Sequence, residues 1–165
     1  MNKAIAVIGA GMLVLATGHA MAEMSSTDRT FATKAAEGGQ AEVVLGQLAT
    51  QKAASPQVRQ FGQRMVTDHS KANQDLMAIA KQQNLTLPTK LNSEAMATEK
   101  RLQNESGKSF DKAYSQDMVQ DHKQDIADFQ KEANSGQDPA LKGFAQKYLP
   151  VLQQHLQMAQ QLPNS

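Results

Sequence analysis

The sequence contains no cysteine and no tryptophan, and only seven of its 165 residues are aromatic. Without cysteine the chain can form no disulfide, no thiolate metal site and no thiol nucleophile, and it cannot be processed as a lipoprotein. It also contains no Gly-x-Ser-x-Gly segment and no glycine-rich phosphate loop. Neither a nucleophilic serine hydrolase nor a nucleotide-binding enzyme is therefore indicated.

The amino-terminal segment has the pattern of a secretory signal peptide. Lys3 precedes an apolar run over residues 4–16, and Ala20 and Ala22 occupy the two small-residue positions of a cleavage site. The run is shorter than the roughly 20 residues that span a bilayer. We expect residues 1–22 to be removed, leaving no transmembrane anchor and a periplasmic or secreted protein.

Neither sign of charge dominates, since the chain has 17 Lys and Arg against 16 Asp and Glu. Removal of the signal peptide takes Lys3 away and balances the two signs. The sequence has no block of basic residues and few aromatic side chains that would stack on bases. These features argue against nucleic acid as a partner.

The expected mature chain, residues 23–165, is long enough for one domain with one hydrophobic core. It is rich in Ala, Gln, Lys, Leu and Met and poor in β-branched residues, which is typical of helices. No segment predicts a β-strand. The composition therefore predicts a single all-α domain.

Capping residues divide this domain into four long helices and one short one. Ser55-Pro56 and Asp138-Pro139 each place a capping side chain before a proline, which is favoured at the first helical position. Three further starts are indicated by residues that commonly cap helices: Ser26, Thr27 or Asp28; Asn92 or Ser93; and Ser109. The predicted helices cover residues 28–53, 56–83, 93–105, 109–134 and 139–162.

The second and fourth long helices begin alike. The nine residues from Pro56 match the nine from Pro139 in chemical class at each position, and Phe31 aligns with Phe110 at a similar offset. We interpret this as a duplicated helical hairpin. The connection of about 25 residues that contains the short helix is long enough to cross the bundle, which predicts a four-helix bundle.

Two features inside the predicted helices need a local explanation. Gly38-Gly39 interrupts the apolar stripe of the first helix and is interpreted as a packing notch. Pro150 lies inside the fourth long helix, where it removes one backbone hydrogen bond. We interpret it as a tolerated kink.

The segment Met-Val-x-Asp-His occurs at residues 65–69 and again at residues 118–122. The helical period places His69, His122 and His155 on the apolar stripes of three helices, near the middle of the bundle. Glu42 lies at the same level in the first helix. Three converging imidazoles and a carboxylate predict a metal site with Glu42, His69, His122 and His155 as ligands.

Four further residues are secondary candidates for this site. Met65 and Met118 each lie one helical turn before a histidine, and Asp68 and Asp121 each precede one directly. Imidazole with carboxylate suits iron, zinc or manganese, whereas added thioethers favour copper. Asp68 or Asp121 can also orient a ring as a hydrogen-bond acceptor. The metal-free alternative has hydrogen-bonded core histidines and methionines that fill the core.

The signal segment, the Glu42 helix, the paired Met-Val-x-Asp-His segments and the Asp138-Pro139 start together resemble an exported bacterial family. Its name is domain of unknown function 4142, and the resemblance covers about residues 27–162. It implies a ferritin-like four-helix bundle with a crossover between two hairpins, and it implies no particular activity.

Ferritin-like di-iron sites use Glu-x-x-His on two helices. Here the residues three before the histidines are Val66, Val119 and Leu152. By position Glu42 and Asp121 match two of the acids, but no bridging carboxylates are evident. A site for one ion, or a metal-free core, is therefore expected instead of a di-iron oxidase.

The leading hypothesis is an exported, non-enzymatic bundle that holds one ion of iron, copper, zinc or manganese. A metal-dependent oxidoreductase with an open coordination position would use the same residues. A metal-free envelope interaction or stress protein would instead bind a partner, or a second copy, through its exposed faces. Non-covalent haem in the core is a fourth alternative. The acidic pair Asp125 and Asp128 is interpreted as a solvated face.

Overall fold

The computed structural model describes residues 24–163, and in this part of the chain the regular secondary structure is helical, without a β-strand. Its five helices are α1 (Ser26–Lys52), α2 (Pro56–Gln82), α3 (Ser93–Gln103), α4 (Gly107–Ser135) and α5 (Pro139–Gln160). The all-α prediction is confirmed. The predicted signal peptide, residues 1–22, lies outside the described residues. Within residues 24–163, none of the helices is both long and apolar enough to cross a membrane.

The two helix starts predicted at prolines are confirmed. They could be predicted because each depends on the capping residue directly before the proline. Pro56 and Pro139 are the first residues of α2 and α5. The hydroxyl of Ser55 accepts a hydrogen bond from the N–H of Gln57, and the carboxylate of Asp138 accepts the N–H groups of the second and third residues of α5. Each side chain thus satisfies donors that the first helical turn leaves free.

The predicted starts of α1 and α4 were wrong by two residues each. The cap of α1 is Ser25, whose hydroxyl accepts the N–H of Asp28. The start of α4 is Gly107, whose φ of 58° is a conformation that glycine adopts without strain. Ser109 lies inside α4, where its hydroxyl donates to the Glu105 carboxylate and caps nothing.

The long helices form two hairpins with three-residue turns, α1 with α2 and α4 with α5, and the connection between the hairpins carries α3. Helix α1 also packs against α4, and α2 against α5, while α3 lies on α1 and α4. The four long helices therefore surround one interior. Helix α5 continues through Pro150.

Glycines allow close packing of α1 on α2. A Cβ on Gly46 would lie 2.7 Å from the carbonyl oxygen of Gly62, and a Cβ on Gly62 would lie 2.8 Å from that of Gly46. At Gly39 a Cβ would overlap the side-chain oxygen of Asn73 on α2. The packing notch predicted at Gly38-Gly39 is present at Gly39.

Each hairpin turn is held by an aspartate of the other hairpin. Asp111 on α4 accepts hydrogen bonds from the N–H groups of Ala54 (3.0 Å) and Ser55 (2.7 Å) in the α1–α2 turn. Asp28 on α1 accepts from the N–H groups of residues 137 (3.1 Å) and 138 (2.9 Å) in the α4–α5 turn. Both carboxylates are buried.

The interior is divided into two apolar clusters. One contains Leu76, Phe129 and Leu152, and the other contains Leu45, Met65 and Met118. On each long helix a polar residue lies between the two clusters. These four residues form a polar layer across the interior, and they are Glu42, His69, His122 and His155.

Candidate metal centre

Each long helix contributes one member of the polar layer: Glu42 from α1, His69 from α2, His122 from α4 and His155 from α5. Glu42, His122 and His155 are fully buried, and His69 is 5% exposed. The four predicted ligands therefore meet at one place. The sequence predicted these inward positions because each residue is the one polar residue on the apolar stripe of its helix.

The three imidazoles form a triangle, and the Glu42 carboxylate contacts two of them. Their ring centroids lie 5.3 to 5.8 Å apart, and one nitrogen of each ring lies within 4.8 Å of a nitrogen of the others. Glu42 Oε2 is 2.6 Å from His69 Nδ1, and Glu42 Oε1 is 3.2 Å from His122 Nε2. Neither contact has the direction of a hydrogen bond, and both oxygens of Glu42 and His69 Nε2 lack a hydrogen-bond partner.

The outer hydrogen bonds determine which nitrogen of two rings carries hydrogen. His122 Nδ1–H donates to the carbonyl oxygen of Met118 (2.9 Å), and His155 Nε2–H donates to the carboxylate of Asp68 (2.9 Å). In the neutral rings His122 Nε2 and His155 Nδ1 therefore both carry lone pairs, and they face each other at 3.4 Å. Two nitrogens bound to one tetrahedral ion at about 2.0–2.1 Å would lie about 3.3–3.4 Å apart.

The histidines are held neutral by their surroundings. Burial lowers the pKa of His69 and of His155 to about 4. Burial, together with the other two imidazoles, lowers the pKa of His122 to about 3. Neutral imidazole is the form that binds metal. Burial and the nearby Asp121 carboxylate raise the pKa of Glu42 well above its usual value.

Asp68 orients His155, and it also forms an ion pair with Arg64. Burial alone would raise the pKa of Asp68, but hydrogen bonds from Arg64 and His155 lower it. Asp68 is therefore ionised beside the ring, which is the usual arrangement behind a metal-bound histidine. It acts on the histidine of α5, although it precedes His69 in the sequence.

Asp121 takes a different place from Asp68. It does not accept a hydrogen bond from a ring, and it lies with Glu42 and Asp125 in a group of three carboxylates whose oxygens are within 4.8 Å of one another. Asp125 lies next to the buried Glu42 and lines an interior cavity, so its interpretation as part of a solvated face was wrong. Asp125 follows His122 by one helical turn on the same face, and this spacing could have predicted its inward position from the sequence.

The remaining candidate residues, Asp128, Met65 and Met118, lie outside the group of contacting imidazoles and carboxylates. Asp128 is also partly buried, but its carboxylate faces outward and pairs with the exposed Lys34. Met65 and Met118 are fully buried in the apolar cluster on one side of the polar layer. The carbonyl group of Met118 holds His122.

Two spaces adjoin the polar layer. A cavity of about 20 Å³ is lined by Glu42, His69, His155 and Asp125, among others. It has room for one ion or one water molecule and is too small for a haem. On the other side, an open cleft of about 650 Å³ between α1, α3 and α4 reaches Asp121.

Comparison with known proteins gives a family and a fold. The family model described as "Domain of unknown function (DUF4142)" matches residues 14–162, beginning inside the segment expected to be a signal peptide. The crystal structure of a DUF305 fragment from Deinococcus radiodurans is similar, with a TM-score of 0.73 and 9% sequence identity over 83% of this chain and 95% of that chain. At this identity the similarity shows the fold alone. No curated protein matches the sequence.

Proposed function

We propose that this chain, which belongs to the DUF4142 family, binds one transition-metal ion through His69, His122, His155 and Glu42. The observation that carries the proposal is the pair of lone pairs on His122 Nε2 and His155 Nδ1, which face each other at 3.4 Å inside the protein. Without a cation between them these lone pairs repel each other. The unpartnered Glu42 carboxylate beside them supplies a negatively charged oxygen ligand.

Three imidazoles and a carboxylate are a donor set suited to zinc, iron or manganese. Copper would be favoured if the thioethers of Met65 or Met118 completed the site. Both methionines lie in the apolar cluster next to the ligands, so substitution of Met65 distinguishes the two donor sets.

The proposed setting is a ferritin-like four-helix bundle that is exported to the periplasm or secreted. The apolar segment after Lys3 and the small residues before position 23 support export. The test is the intact mass of the protein recovered from the periplasm, which should correspond to a chain that begins at Glu23. A full-length chain retained in the cytoplasm would contradict export.

The proposed role is metal binding without turnover. An oxidoreductase would use the same four ligands. Measurable turnover by the metal-loaded protein would therefore show that it is an enzyme and not only a metal-binding protein. In the metal-free alternative the histidines are core residues and Glu42 carries a proton, in keeping with the raised pKa of its buried carboxyl group.

Elemental analysis of untagged mature protein purified from the periplasm tests the site. We expect close to one metal ion per chain in the wild type and its loss in the double variant His69→Ala/His122→Ala. Met65→Leu is the matched control, since it keeps the volume of a buried residue one turn from His69 and removes the sulfur. Retained metal in Met65→Leu supports the nitrogen and oxygen donor set, whereas loss of copper in this variant would assign a thioether ligand.

A wild-type protein that is isolated without metal and fails to take up iron, copper, zinc or manganese would overturn the proposal. Circular dichroism of the double variant keeps the comparison valid, because a retained helical spectrum shows that metal loss does not follow from unfolding.

A further inference from the structure

Glu42 belongs to two groups of ligands at once. On one side it contacts the imidazoles of His69 and His122. On the other side its carboxylate is within 4.8 Å of the carboxylates of Asp121 and Asp125 on α4. The three acids are partly or completely removed from water, and α4 brings the two aspartates one turn apart on the same face.

The state of the Glu42 side chain is the second observation that indicates a bound ligand. It is completely buried, and neither of its oxygens has a hydrogen-bond partner. The cavity of about 20 Å³ is lined by Glu42 and Asp125, along with His69 and His155, so a space of the size of one ion adjoins both groups of ligands.

Charge also favours a second ion. When ionised, the three carboxylates carry three negative charges, and one divalent ion bound by the histidines neutralises only two of them. Three carboxylates this close together repel one another unless a cation or a proton lies between them. Carboxylate oxygens without nitrogen or sulfur donors are the ligands of hard divalent cations.

Resting on the proposed function, we propose that Glu42, Asp121 and Asp125 form a second subsite, for a hard divalent cation, that shares Glu42 with the histidine site. This departs from the expectation of a single ion. The two ions would lie about 3.5–4 Å apart, as in other sites in which two metals share ligands.

The open cleft of about 650 Å³ gives this subsite a route to solvent. Its lining is acidic, with Glu37 on α1, Glu94 on α3, and Asp117 and Asp121 on α4, although Lys123 is also present. A cleft of one predominant sign raises the local concentration of ions of the opposite sign. Asp121 lies both in the cleft and in the carboxylate group, so it connects the entrance to the subsite.

Titration with Mn²⁺ after the histidine site has been filled with one equivalent of Zn²⁺ tests the proposal. Electron paramagnetic resonance measures free Mn²⁺, and elemental analysis measures the zinc that stays bound. We expect the zinc-loaded wild type to bind one Mn²⁺ per chain. Asp125→Asn and Asp121→Asn should each weaken Mn²⁺ binding at least tenfold while zinc is retained.

Asp128→Asn is the matched control. It removes a carboxylate from α4 within one turn of Asp125, but this carboxylate pairs with Lys34 at the surface. Mn²⁺ binding should be unchanged in this variant. An equal loss in all three variants would indicate general electrostatic attraction and would overturn the subsite.

The two proposals fail separately. Zinc binding that His69→Ala removes, without any bound Mn²⁺ in the zinc-loaded wild type, overturns the second subsite and leaves the first. If the protein takes up no zinc, iron or copper, and no manganese that His69→Ala removes, the proposed function fails, and Mn²⁺ titration of the metal-free protein still decides the subsite. Binding that Asp125→Asn abolishes would support it, and no binding would overturn it.

Discussion

Asp28 and Asp111 lie 83 residues apart in the sequence and make the same pair of hydrogen bonds, each to the turn of the opposite hairpin. The turns that donate these hydrogen bonds are also 83 residues apart, as are Pro56 and Pro139. The two hairpins are therefore equivalent at this offset. Phe31 corresponds to Tyr114, and the alignment of Phe31 with Phe110 was wrong by one helical turn.

The same offset relates Glu42 to Asp125, the two acids from α1 and α4 in the carboxylate group. It relates His69 to Leu152, so the histidines do not follow the duplication. The repeated Met-Val-x-Asp-His segment, with its spacing of 53 residues, is therefore not a remnant of the duplicated hairpin. It lies on α2 and α4, which are not equivalent helices.

Asp111→Ala should lower the free energy of unfolding by about 2–4 kcal/mol, because two N–H groups of the α1–α2 turn lose a charged acceptor. Urea denaturation measures the change. Asp111→Asn, which keeps one acceptor oxygen, should lose about half as much. Asp117→Ala removes only a surface pair with Arg101 and should cost less than about 1 kcal/mol. Equal losses in Asp111→Ala and Asp117→Ala would contradict the role of this turn contact.

Asp68→Asn should weaken metal binding about 10–100-fold while the helical spectrum is retained, because His155 loses the carboxylate that orients its ring. Competition with a chromogenic chelator measures the affinity. Asp75→Asn on the same helix is the control, since its carboxylate binds Lys147 and Tyr148 away from the rings. An unchanged affinity in Asp68→Asn would show that His155 needs no orienting partner.

Removal of the metal should lower the melting temperature and leave the fold intact. A ligand present at about 100 times its dissociation constant adds about 2.7 kcal/mol to the free energy of unfolding. The two apolar clusters are independent of the ion, so the metal-free chain should remain helical. Calorimetry with and without a chelator measures the difference. In His155→Ala the chelator should have no effect, and an equal shift there would place the bound metal elsewhere.

The metal-free protein should lose stability as the pH falls below about 6.5. An unfolded chain protonates His122 near its usual pKa of 6.5, whereas burial lowers the folded pKa to about 3. Above pH 6.5 both states are neutral, and below it the proton favours the unfolded state increasingly until about pH 3.

The pH dependence is tested by comparing wild type and His122→Leu in urea between pH 6.5 and 4, with a chelator present. The decline of the free energy of unfolding should be less steep in the variant, by about 1 kcal/mol per pH unit. The slopes are compared because the substitution also changes stability by a constant amount. Parallel slopes would mean that folding does not lower the pKa of His122.

Glu132→Gln should stabilise the protein at pH 8 relative to wild type, and this gain should disappear near pH 4.5. Burial and the neighbouring Asp28 carboxylate raise the pKa of Glu132 to about 7. Between pH 4.5 and 7 the unfolded chain releases this proton and the folded chain keeps it, so wild-type stability falls as the pH rises through this window. Melting temperatures at pH 4.5 and 8 measure the effect, with Glu99→Gln, at a partly exposed position, as the control. A gain that is the same at both pH values would exclude ionisation of Glu132 as its cause.

The sequence by itself determined the helices and the inward direction of the histidines. The starts at Pro56 and Pro139 depend only on the preceding capping residue, and the period of 3.6 residues depends only on one helix. Both are local properties, so His69, His122 and His155 could be assigned to the interior from their own neighbours in the chain.

Only the tertiary structure decided which inward residues meet and which side chains contact them. Asp68 is next to His69 in the sequence, but because α2 packs on α5 its carboxylate accepts a hydrogen bond from His155. It assigned Asp125 to solvent, but the packing of α4 on α1 brings it to Glu42. The rotation and offset of one helix relative to another come from the fit of all their side chains, so the period of a single helix does not contain them.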